Sequence, residues 1–495
     1  MKLSRILELV KDYVVKSNLT IDIDISSISE DSRDEIIDSN TLFFAIEGSK
    51  VDATKFIPSL IERGCKTFIT SKDVGYYEGV NIIQVKSIRR VEAIVSKAFY
   101  NRPDDRLKVF GVTGTKGKTT VSYMMFNGLR ALGMKGGLIG TIEYRINDYS
   151  MNAENTTPGP LHIFTLLDEM VKNSCEFVSM EVSSHGLETD RVYGLKFDAG
   201  IFTNLSREHL DFHQTMENYF NAKMKLFHLI KEFNPDGIAV INIDNEWGRK
   251  AYEITKSLGI KTLTCSTVVD ADIRAKNITV SLDGNLFTVS YRGKEFSTHT
   301  KMVGLHNIHN AICSLGAIVG VIGDDNIELV LNGISETTVK GRFEILRSSR
   351  GFYVVIDYAH TPDALEKTLE TARAFSPTRL TVVFGAGGDR DKGKRPIMGQ
   401  ISANIADKVI VTSDNPRTEN PFSIINDIIK GIPSDRIQKT KVIADRREAI
   451  QVALKEAVEG EIIVIAGKGH ETYQIIGEEK IHFSDYEEVV GSSYF

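Results

Sequence analysis

Four short apolar strands in the last third of the sequence each run into a polar loop, and this alternation strongly constrains the fold. The segments FYVVID, LTVVFG, KVIVTS and EIIVIAG end at residues 357, 385, 413 and 467, and helical patterns separate them. Short apolar strands that alternate with helices predict a parallel α/β sheet. The carboxyl ends of such strands lie along one edge, where ligands bind. We therefore expect the four loops to form one binding site.

Two polar segments predict three α/β domains. Residues 101–105 precede an apolar strand at 108–112, and residues 335–344, SETTVKGRFE, follow an apolar helix. The composition, 42% hydrophobic and 25% charged, is ordinary for a globular protein. The net charge of −6 gives no reason to expect nucleic acid or membrane as a partner. The predicted domains are residues 1–102, 103–337 and 338–495.

The cysteines and apolar stretches indicate a cytoplasmic protein. Cys65, Cys175, Cys265 and Cys313 have no metal-ligand spacing, so we expect buried free thiols in a reducing compartment. The N-terminus lacks the apolar core of a signal peptide. The longest apolar stretch, residues 311–322, is too short to span a bilayer and predicts a buried helix instead.

A strand, a glycine-rich loop and a helix predict a phosphate-binding site in the segment that begins VFGVTGTKGKTT at residue 109. Glycines let backbone N–H groups approach phosphate oxygens, Lys118 can neutralise charge, and Thr119 can bind Mg²⁺. A strict form of this motif would have glycine in place of Val112, so a turn without ligand is the alternative. The predicted loop contacts are Gly114, Thr115, Lys116, Gly117, Lys118, Thr119 and Thr120.

Three further positions of the central region are candidates for chemistry. Glu181 ends an apolar strand, where a carboxylate beside a phosphate loop suits Mg²⁺, although a strand-end ion pair is the simpler alternative. His209 alternates with Asp211 and His213, which fits a metal cluster and a satisfied loop equally well. Lys223, taken alone, is typical of a surface lysine whose stem lies along apolar neighbours.

Two polar positions near the second boundary could contact a nucleotide. Asn307 and Asn310 lie on one face of a predicted helix, where they could bond a base or ribose or cap the helix start. Arg342 in KGRFE could bring a cation to a γ-phosphate, or could be a linker arginine.

Together these motifs resemble the Mur ligase family of peptidoglycan synthesis, in the branch that adds the third stem-peptide residue. The resemblance implies an ATP-dependent amide ligase: ATP phosphorylates a substrate carboxylate, and an amine then displaces phosphate from the acyl phosphate. The matching segments are GVTGTKGKTT, EVSSHGL, TNLSREHLDFH, YFNAK, GLHNIHNA, GRFE, DYAHTPDALE, VFGAGGDRDKGKRP, DNPR and AGKGHETYQ.

The resemblance implies roles for individual residues. Lys118, Glu181, His209 and Lys223 would be catalytic, with Thr119 and Glu181 on one Mg²⁺ and His209 on a second. An ammonium group cannot bind a cation, but the matching lysine of the family is carbamylated, which implies a CO₂-derived carbamate on Lys223 as a metal ligand. Nucleotide contacts are implied for Asn307, Arg342, Asp357 and His360. Contacts to the UDP-N-acetylmuramoyl dipeptide are implied for Ser32, Asn155, Thr156, Thr157, Ser183 and Arg191.

The loop TSDNPRTENP, residues 412–421, carries an arginine that suits a carboxylate, since a planar guanidinium binds one bidentately. Family members with Asn-Pro-Arg here resemble ligases for meso-diaminopimelate, which has one carboxylate more than lysine. The alternative is that Arg417 pairs with a neighbouring acid such as Glu419. The remaining pocket residues implied are Arg390, Asp414, Asn415, Pro416, Gly467 and Glu471.

Other functions stay open at this point. Lysine, ornithine or another diamino acid could replace meso-diaminopimelate. A folylpolyglutamate synthetase would share the ATP-binding core but lack the UDP-binding domain and the DNPR loop. A regulatory protein without catalysis should lack Lys118, Glu181, His209 or Lys223, and all four are present. We expect a monomer that binds small-molecule substrates, with no nucleic acid partner and no membrane insertion.

Overall fold

The computed structural model describes residues 1–48 and 51–495. These residues form two compact units, each assembled from separate stretches of chain. The first comprises Met1–Lys276, Thr288–Thr298 and Ile308–Ser335. The second comprises Asn277–Phe287, His299–Asn307 and Glu336–Phe495.

The N-terminal part of the first unit contains a five-stranded sheet in the order β1-β5-β4-β3-β2. Strands β2 to β5 pair in parallel, and β1 pairs antiparallel to β5. In the first helix, the apolar residues Leu3, Ile6 and Val10 recur at helical spacing and form its buried face. The bounds are α1 (Leu3–Val10), β1 (Val14–Asn18), β2 (Ser27–Ser29), β3 (Thr41–Ala45), α2 (Ile57–Glu62), β4 (Thr67–Thr70), β5 (Asn81–Val85) and α3 (Ile88–Phe99).

The central part of the first unit has β6 in the middle of its sheet, in the order β13-β12-β11-β6-β10-β7-β8-β9. Pairing is parallel from β13 to β7 and antiparallel from β7 to β9. Glu181 at the end of β10 lies opposite Val112 of β6, so both strands end at one edge. The bounds are β6 (Lys108–Thr113), α4 (Lys118–Ala131), β7 (Gly136–Ile139), β8 (Glu143–Ile146), β9 (Tyr149–Asn152), α5 (Pro160–Lys172), β10 (Phe177–Glu181), α6 (Ser184–Glu188), β11 (Ala199–Phe202), α7 (Leu210–His213), α8 (Met216–Phe233), β12 (Ile238–Asn242), α9 (Glu246–Ser257) and β13 (Lys261–Ser266).

Three strands and two helices follow. One of these helices, Leu305–Ile322, is long and apolar enough to cross a membrane by length and composition alone, and 67% of that stretch is buried inside the protein. This burial is typical of a core helix, and the predicted buried helix at 311–322 is confirmed. The bounds are β14 (Ile273–Ser281), β15 (Gly284–Tyr291), β16 (Lys294–Thr300), α10 (Leu305–Ile322) and α11 (Ile327–Ser335).

The C-terminal part of the second unit has a six-stranded sheet in the order β17-β18-β22-β19-β20-β21. All pairs are parallel except β17 with β18. The predicted parallel α/β sheet is therefore confirmed, with an antiparallel strand added at one edge. The bounds are β17 (Glu344–Arg347), β18 (Tyr353–Asp357), α12 (Pro362–Ala374), β19 (Leu380–Phe384), α13 (Lys394–Ile405), β20 (Lys408–Val411), α14 (Pro421–Ile429), β21 (Thr440–Val442), α15 (Arg446–Lys455), β22 (Ile462–Ala466), β23 (Tyr473–Ile476), β24 (Glu479–His482) and α16 (Asp485–Val490).

The four cysteines are free and buried, as predicted. The three-domain α/β organisation agrees with the three larger sheets, and β23 and β24 form a separate two-stranded sheet. The exact boundaries after residues 102 and 337 stay a prediction.

Candidate active site

The loop between β6 and α4 can be built only with glycine at two positions. Gly114 and Gly117 have φ angles of 153° and 88°, which L side chains rarely adopt. A Cβ atom on Gly114 would lie 1.9 Å from Oγ1 of Thr203, and one on Gly117 would lie 2.4 Å from Oδ1 of Asn310. The loop leads directly into the amino end of α4, which has 14 residues, and the amino end of a helix is a position that favours phosphate.

The segment after β11 holds this loop in place. The backbone N–H of Thr115 donates to Asn204 O at 2.9 Å, and that of Lys116 donates to Asn204 Oδ1 at 3.0 Å. Thr203 Oγ1 donates to Lys116 O at 2.7 Å. Sequence reasoning did not single out Thr203 or Asn204, although both lie at the start of the matching segment TNLSREHLDFH.

Two lysines converge on the same loop. Lys118 Nζ lies 3.0 Å from the carbonyl oxygens of Gly114 and Thr115. Lys223 Nζ lies 2.8 Å from Gly114 O and 4.3 Å from the centre of the Tyr219 ring. Lys223 is 1% exposed, so the surface-lysine alternative is wrong. Burial, reinforced by the charge of Lys118, holds the pKa of Lys223 well below its usual range.

Glu181 is buried and hydrogen-bonded through both carboxylate oxygens. Thr141 donates its backbone N–H to Oε1 at 2.8 Å and its hydroxyl to Oε2 at 3.1 Å. Within residues 1–48 and 51–495 no lysine, arginine or histidine forms an ion pair with Glu181, so the strand-end ion pair is not formed. A carboxylate held by neutral donors keeps its charge available for a cation.

His209 lies in the left-handed region, with φ of 56°, at the start of α7. Burial lowers the pKa of His209 to about 4, although the charge of Glu208 acts in the opposite direction. The imidazole is therefore neutral near pH 7, which is the form that binds metals. Its ring centre is 4.9 Å from that of His185, and Glu208 pairs with Lys116 at 3.4 Å.

These donors fit Mg²⁺. In the described part of the chain, no group of three or more His, Cys, Asp or Glu side chains is placed to hold a metal. Mg²⁺ needs fewer protein ligands, because it keeps several waters and binds substrate phosphates. The hydroxyl of Thr119 and the carboxylate of Glu181 are oxygen ligands of the kind that such an ion accepts. The neutral imidazole of His209 is a nitrogen donor that suits a second metal ion.

Five residues predicted to hold the dipeptide lie around Glu181. Thr157 Oγ1 donates to Glu181 O at 2.9 Å and accepts from the N–H of Ser183 at 3.0 Å. Arg191 Nη1 donates to Thr157 O at 2.9 Å. Thr156 joins this group through the Thr141 hydroxyl at 3.0 Å. Asn155, the preceding residue, accepts at its carbonyl oxygen from the Tyr144 hydroxyl at 2.7 Å.

Ser32 lies in a polar loop that adjoins a partly buried charge cluster. The carbonyl oxygen of Ser32 accepts from Arg63 Nη1 at 2.5 Å. Nearby, Arg89 Nη1 lies 2.8 Å from both Glu30 Oε2 and Glu92 Oε2. Glu92 is fully buried and accepts the N–H of Leu161, in the first turn of α5, at 3.1 Å. Sequence reasoning missed this cluster.

In the second unit, three of the four predicted nucleotide residues, Arg342, Asp357 and His360, lie at or next to Tyr358. The Asp357 carboxylate accepts from Phe343 N at 2.7 Å and Thr368 Oγ1 at 3.0 Å, and burial raises its pKa. The Arg342 guanidinium lies 5.0 Å from the Tyr358 ring centre, and His360 Nδ1 bonds Tyr358 O at 2.8 Å. Asn307 donates to Val303 O at 2.8 Å.

The loops after β20 and β22 bring together most of the predicted amino-acid residues. Asn415 Nδ2 donates to Glu471 Oε2 at 2.9 Å. A Cβ atom on Gly467, where φ is 117°, would lie 2.6 Å from Asp414 Oδ2. The close approach of these loops therefore requires glycine at 467, and Pro416 is buried beside them.

Arg417 does not pair with Glu419. Its Nη1 donates to Gly388 O at 2.8 Å, and its backbone has φ of 52°. Glu419 is instead held by the fully buried Arg395, at 2.8 and 3.0 Å. The neighbouring-acid alternative is thus wrong. Arg390 is exposed and donates to the carbonyl oxygen of Asp389 at 3.3 Å.

Comparison with known proteins agrees with this geometry. Residues 112–318 match the Mur ligase middle domain, and residues 341–469 match the Mur ligase, glutamate ligase domain. A UDP-N-acetylmuramoyl-L-alanyl-D-glutamate–2,6-diaminopimelate ligase of Clostridium tetani is 42% identical over 494 residues, 98% of each chain. The relative of Clostridium acetobutylicum, named as ligase 1 of this kind, is 41% identical over 98% of each chain.

Solved structures give the same result. One of a UDP-N-acetylmuramoyl-L-alanyl-D-glutamate–2,6-diaminopimelate ligase is 32% identical, covers 96% of each chain and has a TM-score of 0.69. The chain belongs to the Mur ligase family, and it is an ATP-dependent ligase.

Proposed function

We propose that this enzyme adds meso-diaminopimelate to UDP-N-acetylmuramoyl-L-alanyl-D-glutamate in peptidoglycan biosynthesis. The γ-carboxylate of D-glutamate takes the γ-phosphoryl group of ATP, which gives an acyl phosphate and ADP. The amine of meso-diaminopimelate then attacks the acyl carbon, forms the amide and releases phosphate. The names of relatives that match nearly the whole chain support this substrate pair.

The structural observation that carries the proposal is the group formed by Asp414, Asn415, Arg417 and Glu471. It offers both acidic and basic side chains in two adjoining loops. Meso-diaminopimelate has an ammonium and a carboxylate at each end, so it needs partners of both signs. With such a site, an amino acid lacking one of these groups leaves a buried partner unpaired, which discriminates strongly.

The proposed ATP-binding site is centred on the loop formed by residues 114–120. Its N–H groups and the ammonium of Lys118 would bind the phosphates, with Arg342, Asp357, His360 and Asn307 as further nucleotide contacts. One Mg²⁺ held by Thr119 and Glu181, and a second held by His209, would neutralise charge on the transferred phosphoryl group. The chain's own contribution is to hold these donors in place, through Thr141 for Glu181 and through Thr203 and Asn204 for the loop.

Lys223 is proposed to carry a carbamate. A neutral amine attacks CO₂ and loses a proton, which leaves a negatively charged group able to bind a cation. The depressed pKa of Lys223 supports this reaction, because burial favours the neutral amine. An unmodified ammonium at this position, 2.8 Å from Gly114 O, could not bind Mg²⁺.

The remaining assignments follow from the same reaction. Asn155, Thr156, Thr157, Ser183 and Arg191 would hold the dipeptide beside Glu181, and Ser32 would contact uracil. Arg390, Pro416 and Gly467 would complete the amino-acid pocket. We assign residues 1–102 to UDP binding, 103–337 to ATP and 338–495 to the amino acid, in a cytoplasmic monomer that binds neither nucleic acid nor membrane.

An amino-acid panel tests the proposal. Purified enzyme, ATP, Mg²⁺ and the UDP-muramoyl dipeptide are incubated with meso-diaminopimelate, L-lysine, L-ornithine or lanthionine, and phosphate release and product mass are measured. We expect meso-diaminopimelate to give by far the highest kcat/KM, and a preference for any of the other three would reject it as the substrate. Phosphate release that does not depend on the dipeptide would reject the ligase reaction as a whole.

A further inference from the structure

One buried cation lies under the proposed amino-acid pocket and has no role in the assignments above. Lys468 has no exposed surface. Its Nζ lies 3.1 Å from Glu471 Oε2, 3.2 Å from Asn415 Oδ1 and 3.8 Å from Asp414 Oδ1. Three of the pocket's polar side chains therefore converge on one ammonium group.

Lys468 sets the orientation of the Asn415 amide. Asn415 Oδ1 accepts from Lys468 Nζ and from the backbone N–H of Ile475 at 3.0 Å. Both partners are donors only, so the oxygen must face them and the NH₂ group must face the other way. There it donates to Glu471 at 2.9 Å, and its second N–H is available for a ligand carboxylate.

Lys468 also sets the charge of the pocket. Asp414 and Glu471 place two carboxylates together, Lys468 offsets one of them, and Arg417 supplies a second cation. The far end of meso-diaminopimelate is a zwitterion, with no net charge. The far end of lysine is a lone ammonium, which a more negative pocket would favour.

We propose that Lys468 is a positioning residue that makes the pocket selective for an amino acid whose far end is zwitterionic. It acts through Asn415 and Glu471, and it does not itself contact the amino acid. The inference rests on the proposed function, because it assumes that these loops bind the incoming amino acid.

The first test compares two substrates in Lys468→Met, which keeps the volume of the side chain and removes its charge. We expect kcat/KM for meso-diaminopimelate to fall by ~10-fold or more, mainly through KM, since one charge-assisted contact is lost on each of two pocket residues. We expect a smaller loss, or a gain, with L-lysine and an unchanged KM for ATP. Lys367→Met removes an exposed lysine of α12 that pairs with Asp363, and is the matched control.

If kcat/KM falls by the same factor with both amino acids, selectivity is unchanged and the role of Lys468 is merely structural. That result would overturn the inference, and so would a variant with no loss on either substrate. Lys468→Gln is measured in parallel, so that a fold defect in the methionine variant does not decide the result. The melting temperature of each variant is measured, and all assays are run well below it.

A double-mutant cycle with Glu471→Gln separates positioning from independent effects. If Lys468 acts through Glu471, then Lys468→Met should cost much less in the Glu471→Gln background than in the wild type. Additive losses would overturn the inference. A wild-type enzyme that ligates lysine but not meso-diaminopimelate would reject the proposed function itself. A wild type that ligates meso-diaminopimelate, with variants of unchanged selectivity, would reject only the role of Lys468.

Discussion

Lys118 and Lys223 donate to the same carbonyl oxygen, that of Gly114, at 3.0 and 2.8 Å. Two ammonium groups this close repel each other, and Lys223 is the one that is fully buried. Its neutral form is therefore the favoured one, and a neutral amine is a nucleophile towards CO₂.

Substitution of Lys223 should nearly abolish turnover. We expect Lys223→Ala to lower kcat by roughly 10²–10³-fold, the cost of losing one group that stabilises the transition state. Lys223→Arg should be no better, because a guanidinium keeps its charge and does not form the carbamate. Phosphate release measures turnover, and isotope-labelled bicarbonate followed by NMR measures the carbamate. An arginine variant with near-normal activity would exclude the carbamate.

Gly114→Ala should weaken nucleotide binding. The new Cβ would lie 1.9 Å from Thr203 Oγ1, which would break the Thr203 contact to Lys116 O. Gly133→Ala is the matched control, because φ is 82° there but nothing lies within 4 Å of the added atom. Both variants should lose roughly 1 kcal/mol or more of stability from backbone strain. Only Gly114→Ala should lose affinity for a fluorescent ATP analogue in titration, and equal affinities would contradict this account of the loop.

Arg417→Lys should reduce the use of meso-diaminopimelate far more than that of lysine. Loss of a bidentate carboxylate contact of roughly 1.5–3 kcal/mol predicts a ~10- to 100-fold lower kcat/KM. Lysine lacks the second carboxylate, so the low kcat/KM with lysine should change little. Arg395→Lys is the control, because Arg395 supports the same loop through Glu419 and should lower the melting temperature and both activities together. The same pattern in Arg417→Lys would argue against a carboxylate contact.

Glu92 should make stability depend on pH. Burial, reinforced by the charge of Glu30, raises the pKa of Glu92 to about 7, although Arg89 acts in the opposite direction. Because the folded pKa lies above the unfolded value, the protonated form favours folding. This contribution is present below about pH 4 and is lost as the pH rises towards about 7.

Glu92→Gln removes that titration while keeping the shape of the side chain. The melting temperature of the wild type, minus that of this variant, should decrease as the pH rises from about 5 to about 7, as linkage requires. Differential scanning fluorimetry across this range measures the effect. Glu62→Gln, on the exposed side of α2, is the matched control for the removal of one negative charge. A constant difference between wild type and Glu92→Gln would contradict the raised pKa.

Local features of the sequence predicted much of the fold. The strand segments 408–413 and 461–467 end in loops, and the structure has strands Lys408–Val411 and Ile462–Ala466 there. Strand length and apolar pattern are set by neighbours in the sequence, so they can be recognised without a structure. The antiparallel edge strand β17 was not predicted, because strand direction at an edge depends on pairing across the sheet.

The site was less predictable where contacts link distant residues. Glu92 contacts Leu161 across 69 positions, and nothing around Glu92 in the sequence marks it as a helix cap. Lys468 and Arg395 look like ordinary surface cations, yet both are fully buried, and they contact Asn415 and Glu419, which lie 53 and 24 positions away in the sequence. Glycines 114 and 467 were easier, since both follow recognisable strand segments, and their φ angles of 153° and 117° are ones that L side chains rarely adopt.

The division of the chain has a consequence for working with fragments. The chain passes from one compact unit to the other at residues 276/277, 287/288, 298/299, 307/308 and 335/336. Val303 belongs to the apolar core of the second unit, and Leu282 packs against that core. A fragment that starts at residue 338 would lack both side chains and expose the surface they cover, so it should aggregate unless a peptide spanning 277–307 is supplied in trans. During synthesis, that core cannot close until the last 160 residues have joined two short segments made before them, Asn277–Phe287 and His299–Asn307.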